Sequence, residues 1–233
     1  PSGTEKIIRI NSIGNKSFIC FCVNHASNNV HVIIIINENL KIDNWIKTTA
    51  NKWAKLGYLA ITPDLSHNVL SRLEIKTKTP SKNNQHLKQE LDYDAAILDI
   101  DSIISEIRGF QNCNGNIGII GFSSGATLAY LFAARLNVAV VVRYYRSEIF
   151  RYLNEGKNIT CPLLLHMSRH DNKIEEPNLN RIQAALIGKG NTSIYSYDAR
   201  YGFANTNNPK LYVPEKAKLP PDRTHKILAT IYD

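Results

Sequence analysis

The pentapeptide Gly121-Phe122-Ser123-Ser124-Gly125 has the spacing G-x-S-x-G. That spacing suits a serine nucleophile held on a tight turn between a strand and a helix. The surrounding chain agrees: the aliphatic run Ile117 to Ile120 leads in, and an Ala-rich run follows from Ser124. Glycines two positions to either side leave room for the turn. The N-terminus of the following helix aims backbone N–H groups at a developing oxyanion. A Ser/Gly turn that only caps a helix is the plainer alternative.

A hydroxyl needs a base to take its proton, and the base needs an orienting carboxylate, in the chain order Ser, Asp or Glu, His. Asp171 stands where the acid belongs, after the strand Pro162 to Met167 and the turn Ser168-Arg169-His170. An ordinary turn aspartate is the competing reading. The base should follow the next strand, Ser193 to Tyr197. The loop there, Asp198 to Asn205, contains no histidine.

Such a site needs alternating strands and helices to position it. Phe18 to Val23, His31 to Ile36, Tyr58 to Thr62, Ile117 to Ile120 and Val138 to Val142 also read as strands. Helical spacing of apolar residues marks Asp43 to Leu56, Leu87 to Ile107, Ser124 to Leu136 and Glu175 to Leu186, with a last helix from Asp222. Ser66 to Gln85 is polar and reads as a surface loop. Strands separated by helices predict an α/β fold with a mostly parallel sheet, covered by helices on both faces, and ligands at the carboxyl ends of the strands. No linker or repeat divides residues 1–233, which read as one domain.

The 233 residues carry a formal net charge of +8, with Lys and Arg scattered rather than clustered. That pattern favours a solvated basic surface over a nucleic-acid footprint, and its field would attract an anionic substrate. The four cysteines form no C-x-x-C pair, which argues against a zinc or thioredoxin-like site. Buried free thiols point to a reducing, cytoplasmic setting. The longest aliphatic run, Val32 to Ile36, is far too short to span a membrane, and Pro1-Ser2-Gly3-Thr4 has no apolar signal region.

Several segments together resemble the dienelactone hydrolase (carboxymethylenebutenolidase) family. They are Ile33 to Glu38, Leu56 to Leu65, Ile117 to Gly125, Tyr144-Tyr145, Cys161 to Asp171 and Tyr197 to Asn205. The resemblance implies an α/β-hydrolase fold, no metal or organic cofactor, and a monomer opening small lactones or related esters. It makes Ser123 the nucleophile, where many members have cysteine, and Asp171 the triad acid. It places Glu38 on a glutamate that partners the nucleophile. The oxyanion hole would be the backbone N–H groups of Ser124 and Asn39.

One position departs from the family. Its His-Gly-Phe pattern reads Tyr201-Gly202-Phe203, so Tyr201 stands where the base should be. An unperturbed phenol, with a pKa near 10, is a donor at neutral pH. His166, His170, a Tyr201 ionised by Arg200, or Glu38 could take over the role. The plain readings of the two histidines are a strand core for His166 and a turn for His170. Arg143 and Arg146 are candidates for holding a substrate carboxylate, and Asn205 stands where the family can have an arginine. Two readings follow. The first is a serine hydrolase of small esters or lactones, anionic ones included. The second is a folded scaffold that binds a small molecule or partner without turnover.

Overall fold

Val30–Ile36 (β3) is aliphatic apart from His31, and every residue in it is buried. Such a strand needs cover on both faces, which a central place in a parallel sheet supplies. In the computed structural model β3 lies between β4 (Leu59–Pro63) and β5 (Cys113–Phe122), parallel to both. The sheet continues in parallel through β6 (Val140–Tyr144), β7 (Leu163–His170) and β8 (Thr192–Arg200). On the other side β2 (Lys16–Asn24) runs antiparallel to β4, and β1 (Thr4–Ser12) forms the edge antiparallel to β2. Among the described residues the eight strands lie in the order β1-β2-β4-β3-β5-β6-β7-β8. The residues described are 3–12, 16–25, 30–67, 91–110, 113–145, 148–170 and 176–230.

Helices cover both faces. On one, α1 (Asn44–Lys55) packs Trp45, Ile46, Ala50 and Trp53 against Ile33 and Ile35, and α6 (Leu219–Ala229) adds Leu228. On the other, α2 (Tyr93–Arg108), α3 (Ser124–Arg135) and α4 (Glu176–Leu186) bury their apolar stripes against Val32, Ile34 and Ile36. A short α5 (Pro214–Ala217) precedes α6. Asp43 caps α1 by accepting from Ile46 N at 2.9 Å. Among the described residues no helix is long and apolar enough to cross a membrane.

The α/β architecture expected from sequence is the one found, with shifts at element ends. β1 has no counterpart among the strands expected from sequence: of its nine residues only Ile10 is buried, and an edge strand carrying Lys6 and Arg9 shows no clean alternation. Leu87 to Glu90 of the predicted long helix lie outside the described residues, and α2 begins at Tyr93 because the Asp92 side chain caps Ala95 N. Most of the predicted loop Ser66 to Gln85, and Glu175, also lie outside them. β6 sits two residues later than expected, and β8 runs three residues past Tyr197 to Arg200. α6 starts at Leu219 rather than Asp222, because Pro220 and Pro221 fit a first turn whose N–H groups need no helical partner.

An ion pair ties the first helical layer to the sheet edge. Buried Asp99 of α2 accepts a hydrogen bond from Ser12, and its other oxygen lies 3.2 Å from His67 Nε2. The hydrogen bond to Asp99 raises the His67 pKa, and the Asp64 carbonyl at 3.1 Å from Nδ1 acts the same way. A histidine raised in the folded state adds stability that is fully present below its unfolded pKa, about 6.5, and is lost as pH climbs through the folded value. Urea midpoints of the parent should therefore fall as pH rises above about 6.5. In His67→Gln this segment of the curve should be flat. An unchanged slope in the variant would rule this pair out as its source.

Candidate active site

β5 delivers Ser123 to the carboxyl end of the sheet, and α3 carries the chain away from it. The turn between them is tight. Ser123 takes φ 53° and ψ −109°, a conformation L-residues avoid, and its N–H still extends the ladder to Tyr144 O at 3.1 Å. A Cβ on Gly121 would stand 2.2 Å from Gly125 O, and one on Gly125 would stand 2.5 Å from Ile36 O. Both glycines are thus required by close backbone approach. The Ser123 side chain makes no cap hydrogen bond to α3, which removes the helix-cap reading. Strain of this kind, of order 1–3 kcal/mol, is kept where it aims a side chain.

Tyr201 Oη lies 2.8 Å from Ser123 Oγ and also hydrogen-bonds Glu38 Oε1. These three residues come from the ends of β5, β8 and β3. Tyr201 is buried, and the turn that presents it is well anchored. Gly202 takes φ 77°, Phe203 is fully buried against Tyr145 and Tyr197, and Ala204 N donates to Tyr145 Oη at 2.9 Å. Glu38 follows buried Asn37, whose Oδ1 accepts from Glu38 N and whose Nδ2 donates to Lys41 O and Asp43 Oδ2. Asn39 Nδ2 donates to the same Asp43 oxygen, so one carboxylate both caps α1 and fixes the loop that carries Glu38 and Asn39. Ser124 is the first residue of α3, where backbone N–H groups have no helical acceptor.

The two histidines weighed as substitute bases are engaged elsewhere. His166 is fully buried on β7, with Nδ1 2.8 Å from Tyr197 Oη and Nε2 2.9 Å from Thr224 Oγ1. Burial, with the charges of Arg223 and Arg143, pushes its pKa down to about 3, so it stays neutral. His170 is exposed at the rim, 2.6 Å from Asp198 Oδ1. Asp171 and Arg146 lie outside the described residues. Arg143 points into the core and donates to Tyr145 O at 3.3 Å. Asn205 closes the turn by donating its N–H to Gly202 O. Among the described residues no group of His, Cys, Asp and Glu is placed to hold a metal ion.

Behind the turn, on the α1 and α6 face, a cavity of about 300 Å³ is walled by Trp45, Trp53, Phe122, Tyr144, Tyr212 and His225. Phe122 precedes Ser123 in the chain, and Ala204 of the Tyr201 turn adds to the wall.

The strained serine between two glycines is the local signature of an α/β-hydrolase, and the comparison with family models decides which branch. The dienelactone hydrolase family model matches residues 20–232. The chain belongs to the dienelactone hydrolase family. Among curated relatives, carboxymethylenebutenolidase of Pseudomonas putida is 26% identical over 227 residues, covering 96% of each chain. Carboxymethylenebutenolidase 1 of Cupriavidus pinatubonensis is 22% identical over 228 residues, covering 97% of each. Solved structures agree on the fold. A dienelactone hydrolase from Anabaena variabilis superposes with a TM-score of 0.72 at 12% identity, covering 99% of both chains. The Pyrococcus furiosus esterase Pf2001 gives 0.66 at 16%, covering 98% of this chain and 93% of its own.

Glu38, Ser123 and Tyr201 stand out separately in the sequence, and the fold is what makes Tyr201 bridge the other two. The roles of Asn37 and Asp43 are hidden by the plain strand-end pattern Asn-Glu-Asn.

Proposed function

We propose that this dienelactone hydrolase family member is a serine hydrolase of small esters or lactones, with a tyrosine in the place of the histidine. The observation that carries the reading is the 2.8 Å contact between Tyr201 Oη and Ser123 Oγ, with Glu38 on the far side of the same phenol. A carboxylate only accepts, so the phenolic proton belongs to Glu38 and the Ser123 proton to the phenol oxygen. The order Ser123 O–H to Tyr201 O–H to Glu38 is a proton relay.

As Ser123 Oγ bonds to the carbonyl carbon, the C=O π pair moves onto oxygen, facing the N–H groups of Ser124 and Asn39. The Ser123 proton passes to Tyr201 and the Tyr201 proton to Glu38. Collapse re-forms C=O and breaks the bond to the alkoxy oxygen, which takes a proton back along the relay. Water then releases the acyl group by the same steps, with Ser123 as leaving group. Asp171 keeps the family position of the triad acid. The fully buried Cys20 and Cys22, both free thiols, fit a cytoplasmic protein. The net charge of +8 favours anionic substrates.

The test is reaction with a fluorophosphonate, followed by peptide mapping, alongside hydrolysis of p-nitrophenyl acetate. Labelling at Ser123 with measurable turnover is the expected result. A folded protein that neither labels nor turns over would leave the ligand-binding scaffold as the reading, with Tyr201 as the residue that silenced it.

A further inference from the structure

Arg143 is the largest fully buried side chain among the described residues. It leaves β6 on the same face as Val141, toward α3. Its Nη2 donates to Tyr145 O, but Nε and Nη1 find no acceptor among the described residues. Burial lowers its pKa to about 9, so it remains charged at neutral pH. A guanidinium buried without a counter-charge is among the most unfavourable arrangements a core can hold.

Two further donors share this region. Tyr130 of α3, also fully buried, has a hydroxyl without a partner among the described residues, and it lies within electrostatic reach of Arg143. Lys189, just after α4, brings its ammonium near the Tyr130 hydroxyl. A Cβ on Gly156 would meet Tyr130 Oη at 2.6 Å and Lys189 Nζ at 3.3 Å. The carboxylate that also acts on Tyr130 is Glu155, and it is already engaged: both its oxygens accept from Arg135, at 2.7 and 2.8 Å. Among the described residues, the buried Arg143 guanidinium and the Tyr130 hydroxyl thus lack a negative partner.

We infer that Arg143, Tyr130 and Lys189 hold a small monovalent anion of chloride or bromide size between β6 and α3. One negative charge balances the buried guanidinium, and a monatomic ion suits a close-packed interior better than a larger oxyanion. The site is separate from Ser123 but linked to it. Arg143 holds the carbonyl of Tyr145, a non-glycine residue at φ 66°, and the Tyr145 hydroxyl holds the turn that presents Tyr201.

A ligand that binds only the folded state raises the melting temperature. The full chain, dialysed into sodium gluconate, is melted while chloride or bromide replaces gluconate at constant ionic strength. The expected result is a saturable rise of about 2–4 °C. Arg143→Met should lose that rise. Tyr130→Phe, which keeps the ring and the fold, should weaken the apparent halide affinity several-fold and so serves if Arg143→Met does not fold. A bromide-soaked crystal should show anomalous scattering beside Arg143 Nη1. Identical melting in gluconate and halide would overturn the inference, since water alone would then satisfy these donors. An unchanged halide response in Tyr130→Phe, or bromide sites only elsewhere, would overturn it too.

Discussion

Ser123→Ala is expected to lower kcat/KM for a p-nitrophenyl ester by at least about 10³-fold and to abolish fluorophosphonate labelling. The substitution removes one atom. Alanine occupies φ 53° no worse than serine, so the turn keeps its shape. Tyr201 keeps its hydrogen bond to Glu38, so the rest of the relay stays assembled. Stability should therefore move by no more than about 1 kcal/mol, which a urea melt resolves. A variant that retains a tenth of the parent rate would show that the nucleophile lies elsewhere.

Tyr201→Phe is the sharper experiment because it separates the relay from the nucleophile. The ring fits its buried place against Tyr145, while Ser123 loses its proton acceptor and Glu38 its donor. General-base assistance contributes about 10²–10⁴-fold, and that is the loss expected in kcat, with KM little changed. Tyr201→His restores an imidazole to the same turn. It should hydrolyse the ester with an acid limb in kcat/KM near pH 6.5, because the imidazole must be neutral to act. If Tyr201→Phe turns over like the parent, the phenol is a spectator, and Glu38 would have to reach Ser123 without it.

What the sequence revealed about this site follows the range of the interactions. The serine turn was legible because its determinants are neighbours in the chain: an aliphatic strand, two glycines and a helix rich in alanine. The alternation of strands and helices was legible for the same reason. The contact between Glu38 and Tyr201 spans 163 residues and depends on sheet order, which no local pattern carries. The family resemblance brought both positions to notice, but only the fold shows their side chains meeting. Two features had no signal at all. β1 is mostly exposed and carries Glu5, Lys6 and Arg9, charges that discourage further pairing at a sheet edge. Arg143 reads in sequence as a candidate for holding a substrate carboxylate, and nothing in its neighbours marks it as buried beneath α3.

The aromatic cavity behind Phe122 has a practical consequence. Trp45 and Trp53 are the only tryptophans in the chain, both belong to α1, and both face that cavity. Emission excited at the red edge of the indole band therefore comes from one helix and one wall. It is a built-in optical label for the docking of α1 on the sheet, silent about α2, α3 and α4 on the opposite face. Circular dichroism, by contrast, averages over every element. Unfolding curves from the two signals will superimpose only if the layers on the two faces come apart together. Any gap between them measures how independently α1 can leave, and α1 begins at the Asp43 carboxylate that also fixes the loop of Glu38.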